Sequence, residues 1–67
     1  MKYIIQNRRT NKNDFERDFV EQDLPELMKE VQQFILSHYP RKTKIVIGTL
    51  ETVKPELNEK GVIIIVG

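Results

Sequence analysis

The segment Gly61–Val66 reads Gly-Val-Ile-Ile-Ile-Val and is apolar at every position after the glycine. β-Branched residues favour strands, and successive side chains of a strand point to opposite faces of a sheet. The segment therefore predicts a strand that needs to be shielded from water on both faces. A helix covers only one face of a small sheet, so a second cover is required.

The chain has 67 residues and little core with which to supply that cover. A domain of this size buries only ~60% of the surface that its unfolded chain exposes. Small domains therefore often rely on disulfides, a bound metal or association with another chain. The sequence has no cysteine and a single histidine, so we expect no disulfide, no metal site and no cofactor. Association remains, and we expect a homodimer or a complex with another protein.

Residues 24–39 predict the clearest element, an amphipathic helix. Asp23 and Glu26 have the spacing of a capping box, and Pro25 fits the first turn, where no intrahelical donor is needed. Pro40 ends the helix, because the residue before a proline is pushed out of the helical conformation. Apolar side chains repeat at helical spacing along one stripe, which predicts the face that packs on a sheet. The stripe comprises Leu24, Leu27, Met28, Val31, Phe34, Ile35 and His38.

Strands are predicted on both sides of this helix. Residues 2–8 precede it, and residues 43–53 and 61–66 follow it as a hairpin whose loop, 54–60, contains proline and asparagine.

Residues 14–22 are open to two interpretations. As a strand after a turn at residues 10–13, they place Phe15, Arg17 and Phe19 on one face and the acidic residues on the other. As a helix, they begin with a second capping box at Asn13 and Glu16. The strand is our preference.

The whole chain is then a single small α+β domain over residues 1–67, with one helix on a four-stranded antiparallel or mixed sheet. Its order of elements is ββαββ, and the helical alternative for residues 14–22 gives βααββ.

Four apolar side chains are expected on the sheet face opposite the helix. They are Val46, Leu50, Ile63 and Ile65. Leaving such side chains in water forgoes ~1.5 to 3 kcal/mol each, and exposed apolar patches often mark protein interfaces. We therefore expect these residues to form a protein contact. The alternative is that residues 14–22 cover them as a second helix.

Charge is distributed in blocks, although the formal net charge is only +1. Residues 1–12 hold four basic residues and no acid, residues 13–34 hold seven acids and two bases, and residues 35–46 hold three bases. The acids Asp14, Glu16, Asp18 and Glu21 predict a surface that attracts a basic protein partner. The bases predict an alternative, nucleic-acid binding with stacking by Tyr3 and Tyr39, if the two basic clusters meet at one end. The clusters are Arg8, Arg9 and Lys12, and Arg41, Lys42 and Lys44.

No catalytic arrangement is evident in the sequence. Ser37 and His38 are the only residues of their types, and as neighbours on a helix they point about 100° apart. The three glycines are isolated, so no phosphate-binding loop is present. No stretch approaches the ~20 apolar residues of a membrane span or the ~7 to 15 of a signal-peptide core. We interpret the chain as a cytoplasmic, noncatalytic binding or regulatory module that acts through protein–protein contact.

Overall fold

A computed structural model describes all 67 residues and contains one four-stranded sheet. The strands are β1 (Lys2–Asn7), β2 (Lys12–Asp18), β3 (Ile45–Thr49) and β4 (Gly61–Val66), in the order β2-β1-β4-β3. The central strands β1 and β4 are parallel, and the two outer pairs are antiparallel. The predicted α+β fold with the order ββαββ is confirmed. The strand preferred for residues 14–22 is confirmed as far as residue 18, whereas residues 19–22 lie outside it and Glu21 begins a 3₁₀ turn.

The helix α1 (Leu24–His38) begins and ends close to the predicted positions, with Pro25 in its first turn. The predicted capping box is wrong. Asp23 belongs to a short 3₁₀ turn and has a helical backbone conformation, φ −89° and ψ −3°, whereas a capping residue is normally extended. Its side chain makes no capping hydrogen bond. Tyr39 leaves the helix in an extended conformation before Pro40, as expected.

The main core lies between α1 and the sheet. Two residues of the predicted stripe, Leu27 and Val31, are buried against side chains of β1 and β4, whereas Met28 remains 53% exposed. Seven buried residues form this core: Tyr3, Ile5, Phe19, Leu27, Val31, Ile64 and Val66. Alternate residues of β1 and β4 therefore face the helix, as the sequence pattern predicts.

The opposite face of the sheet has its own small core, and the chain itself covers it. Ile4 and Ile63 are buried there against Leu50, which has no exposed surface, and Ile65 packs against the edge of the cluster. The strand predicted over residues 43–53 is shorter in the structure and ends at Thr49. Leu50 then begins a four-residue helix, α2 (Leu50–Val53). The cover is therefore α2 rather than a helix over residues 14–22. The expectation that Leu50 and Ile63 are exposed for contact with a partner is wrong.

The β1–β2 hairpin turns at residues 8–11, two residues earlier than predicted. Asn11 adopts a left-handed conformation, φ 57°, which asparagine tolerates, and the side-chain oxygen of Asn7 accepts a hydrogen bond from the Arg9 amide at 2.9 Å. These local interactions complete the turn before Lys12, where β2 begins.

β2 carries a bulge at Asp14. Ile5 pairs with Phe15 and Gln6 pairs with Asn13, so Asp14 has no partner on β1. A bulge of this kind interrupts the alternation of side chains between the two faces. Asp14 consequently leaves the face that the sequence pattern assigns to it.

Gly61 begins β4 where the backbones of β4 and β1 approach closely. A side-chain carbon at this position would lie 1.8 Å from the carbonyl oxygen of Lys2, and the φ of Gly61 is +153°. Its amide donates a hydrogen bond to the carboxylate of Glu51 at 2.8 Å, which joins β4 to α2. Only glycine fits this start of the strand.

Candidate functional site

β3 is an exposed edge of the sheet and pairs only with β4. The Gly67 amide donates to the carbonyl of Lys44 at 3.1 Å, in the same register as the β3–β4 ladder. In an antiparallel ladder, alternate residues direct both backbone groups to the same neighbour. The even-numbered residues of β3 therefore bond to β4. The N–H and C=O groups of Ile45 and Ile47 and the N–H group of Thr49 point away from the sheet, whereas the Thr49 carbonyl accepts the first hydrogen bond of α2.

The side chains of this edge strand are apolar and open to solvent. Ile45 is 41% exposed, Val46 49% and Ile47 68%. Ile45 and Ile47 lie on the face that carries α1, and Val46 lies on the opposite face. Edge strands are usually protected by charges, prolines or a cover, and β3 has none of these. It is therefore a template for an added strand.

An apolar groove borders β3 on the helix side. It has a volume of about 360 Å³ and runs between the last turns of α1 and the start of β3, with Leu36, Tyr39, Pro40 and Ile45 among its lining residues. Leu36 is 71% exposed and lies outside the stripe predicted from the sequence. Its one signal in the sequence is that it is an apolar residue on the polar side of the helix.

The four apolar residues of the predicted interface share one face of the sheet, but they differ in exposure. Val46 is open, Ile65 is half-buried, and Leu50 and Ile63 are buried inside the chain. Only Val46 is freely available to a partner from this face. The structure adds Ile45, Ile47 and Leu36, which are not among the predicted interface residues.

The four predicted acidic residues do not form one surface. Glu16 and Asp18 lie on the face opposite α1, and Glu16 forms a salt bridge with Lys2 at 3.9 Å. Glu21 lies beyond the end of β2 in the 3₁₀ turn, and the bulge separates Asp14 from the others. The prediction of a continuous acidic strand face is wrong at Asp14.

Asp14 instead joins a polar cluster beside the end of α1. Its carboxylate accepts a hydrogen bond from the Tyr39 hydroxyl at 2.6 Å and another from the Asn7 amide at 3.0 Å. These bonds hold the pKa of Asp14 below its ordinary value of 3.8. Burial, followed by the bond to Asp14, raises the pKa of Tyr39. Together with Arg9 and His38, the cluster lines an open pocket of about 460 Å³.

His38, like Asp14 and Tyr39, is engaged within the chain. The His38 ring stacks on Phe34 with 3.9 Å between the ring centres, and its Nδ1 lies 3.0 Å from the Phe34 carbonyl oxygen, to which it donates. Ser37 is not among the lining residues. The Ser37 hydroxyl and the His38 ring therefore do not line this pocket together. The structure contains no group of three or more side chains suited to holding a metal ion. Neither helix is long and apolar enough to cross a bilayer.

The two basic clusters meet at one end of the sheet. The Arg8 amide donates to the Val66 carbonyl and the Gly67 amide to the Lys44 carbonyl, so both clusters lie beside the end of β4. None of their side chains forms a salt bridge, because the two ion pairs of the structure use Lys2 and Arg17. Tyr3 is only 5% exposed and is unavailable for stacking on a base, contrary to expectation. The basic end comprises Arg8, Arg9, Lys12, Arg41, Lys42 and Lys44.

Two surfaces are therefore candidates for function: the β3 edge with its groove, and the basic end. No family model, curated protein or solved structure matches this chain, so the choice between them rests on its own residues.

Proposed function

We propose that this chain is a noncatalytic protein-binding module whose partner adds a strand to β3. The observation that carries the proposal is the edge itself, where outward backbone groups and the exposed side chains of Ile45, Val46 and Ile47 coincide. In strand addition, main-chain hydrogen bonds provide affinity, and alternate side chains provide specificity. A regulatory role, homodimerisation and a cytoplasmic location stay predictions.

The surface has enough apolar material to support such binding. Burying an exposed isoleucine or leucine contributes ~1.5 to 3 kcal/mol, and each main-chain hydrogen bond adds a net ~0.5 to 1.5 kcal/mol. Association costs ~4 to 15 kcal/mol of lost motion, so one or two contacts are insufficient. Ile45, Ile47 and Leu36 together with the outward backbone groups supply several contacts on one continuous surface.

A charge on the edge strand should abolish partner binding. We expect Ile47→Lys to remain folded, because this side chain is 68% exposed and its backbone groups make no bond to β4. The matched control is Val20→Lys, which adds the same charge at a side chain that is 57% exposed and lies outside β3. The measurement is affinity capture from extract with the wild type and both variants, followed by mass spectrometry.

The wild type and Val20→Lys should retain the same proteins, and Ile47→Lys should lose at least one of them. Identical sets of proteins on all three baits, together with an unchanged oligomeric mass of Ile47→Lys in solution, would show that β3 is not a binding edge.

Nucleic-acid binding is the second candidate, because the structure gathers six unpaired cations at the basic end. If it holds, binding of a duplex or single strand should weaken steeply with salt, since each phosphate contact releases a counterion. Arg8→Ala combined with Arg41→Ala should lower both the affinity and the slope of its salt dependence. Filter binding measures this, with Lys29→Ala on α1 as a control for lost charge. If the filter retains no nucleic acid with the wild-type protein at low salt, nucleic-acid binding is eliminated as a function.

A further inference from the structure

We infer that the strand added to β3 is β3 of a second copy of this chain, paired antiparallel about a two-fold axis at Ile47. This inference rests on the proposed function, because it names the occupant of the same edge. The result is a continuous eight-stranded sheet with the order β2-β1-β4-β3 in one copy and the reverse order in the other.

The register follows from which backbone groups point outward. Ile45, Ile47 and Thr49 are evenly placed about Ile47, so a two-fold axis there puts Ile47 opposite itself and Ile45 opposite Thr49 of the second copy. The central Ile47 pair exchanges two hydrogen bonds in an antiparallel ladder, and each Ile45–Thr49 pair adds one, from the Thr49 amide to the Ile45 carbonyl, because the Thr49 carbonyl is used by α2. Every outward-facing residue of β3 then lies opposite a residue of the other β3, whereas an axis at Val46 leaves Thr49 facing residues beyond the start of the strand.

The face opposite α1 has a complementary shape in this register. Val46 lies opposite Gly48 of the second copy, which has no side chain of its own, so Val46 meets the neighbouring side chain of Val53 instead. A carbon added at Gly48 would lie 2.8 Å from the Cγ2 atom of Val53, so the position above Gly48 borders that methyl group. Val46 and Val53, which are 49% and 39% exposed, are therefore brought together across the joint.

The face that carries α1 gains a larger apolar contact. A two-fold axis perpendicular to the sheet places the two copies of α1 on the same side, with the paired β3 strands between them. Ile45, Ile47 and Leu36 line the resulting valley, and Ile47 and Leu36 are among the most exposed apolar side chains of the chain. Pairing of the two β3 strands would therefore bury Ile45, Ile47 and Leu36 at the same time.

Charge favours the antiparallel arrangement. Residues 41–44, before β3, carry three bases and no acid, whereas residues 50–60, after it, carry three acids and two lysines. Antiparallel pairing brings the basic flank of each copy beside the net acidic flank of the other. Parallel pairing would place the basic flanks of the two copies against each other, and this repulsion disfavours it.

Single cysteines test the register, because the chain has no cysteine of its own. In Ile47→Cys, the two introduced residues face each other with Cα atoms about 5.5 Å apart, within disulfide range. In the matched control Thr49→Cys, they lie four residues apart along the joint, at roughly 13 Å. We expect oxidation to cross-link Ile47→Cys and leave Thr49→Cys unlinked on a non-reducing gel. Equal cross-linking of the two variants, or none in either, overturns the proposed pairing.

Light scattering across a range of concentrations supplies the independent measurement. The wild type and Val20→Lys should reach twice 7.9 kDa, and Ile47→Lys should stay at 7.9 kDa with an unchanged circular dichroism spectrum. A wild type that stays at 7.9 kDa throughout overturns self-pairing. If the Ile47→Lys bait nevertheless fails to capture a protein that the wild-type bait captures, the proposed function holds, and the strand added to β3 comes from that protein rather than from a second copy. If Ile47→Lys is still a dimer and captures the same proteins as the wild type, both the proposed function and the self-pairing of β3 are overturned.

Discussion

Asp14 shows how a single residue can leave its expected face without any local signal in the sequence. Strict alternation groups it with Glu16 and Asp18, and no glycine or proline marks the bulge. The bulge nevertheless lets its carboxylate reach Tyr39, which follows the last residue of α1, so β2 and the end of the helix are joined by a charged hydrogen bond. Such a contact depends on the relative position of two distant elements, which alternation alone does not determine.

This contact predicts how stability depends on pH. Because the folded pKa of Asp14 is lowered, its contribution is fully present above the unfolded value of 3.8 and is lost as the pH falls through the folded pKa. Tyr39→Phe removes the first cause of that shift. We therefore expect the variant to have a lower free energy of unfolding than the wild type at about pH 6, with a difference that shrinks below about pH 4.

Urea denaturation followed by circular dichroism at several pH values measures this difference. Tyr3→Phe is the control, because its hydroxyl makes no hydrogen bond to an acid and its removal should leave the pH dependence as in the wild type. Parallel curves for Tyr39→Phe and the wild type would show that the Asp14 contact contributes nothing to folding.

At the scale of elements, the predictions succeeded where one pattern extended over several turns or a whole strand. α1 has a long stripe, a proline in its first turn and a proline after its end, and β4 has an unbroken β-branched run. α2 was missed because its residues, Leu-Glu-Thr-Val, differ little from a strand sequence. A tertiary contact favours the helix, because it places Leu50 against the side chains of Ile4 and Ile63, which are otherwise uncovered.

The cover supplied by α2 predicts the cost of removing it. Leu50→Ala should lower the free energy of unfolding by ~2 to 5 kcal/mol, because Leu50 is fully buried and its truncation leaves a cavity between α2 and the sheet. Leu57→Ala is the control, since this leucine is 47% exposed and its truncation should cost far less. Chemical denaturation of the two variants provides the comparison. Similar losses for both would mean that α2 is not what protects the back of the sheet.

At the scale of the whole molecule, the charge blocks were visible in the sequence, but their meeting at one end was not. The first cluster follows β1 and the second precedes β3, and they converge because β4 is parallel to β1 and antiparallel to β3. The sequence left an antiparallel or mixed sheet open, since the apolar pattern of β4 suits either direction. The predicted interface was misplaced for a related reason, because exposure on a small sheet depends on which strand lies at the edge.

The central place of β4 also orders the events of synthesis. A ribosome delivers β1, β2, α1 and β3 before residues 61–66, yet β4 is the strand that bonds to both β1 and β3 and contributes to both cores. Until it emerges, β1 and β3 are two separate apolar edges with nothing between them. The nascent chain is therefore most exposed to mispairing just before β4 emerges, because β4 joins β1 to β3 within the sheet.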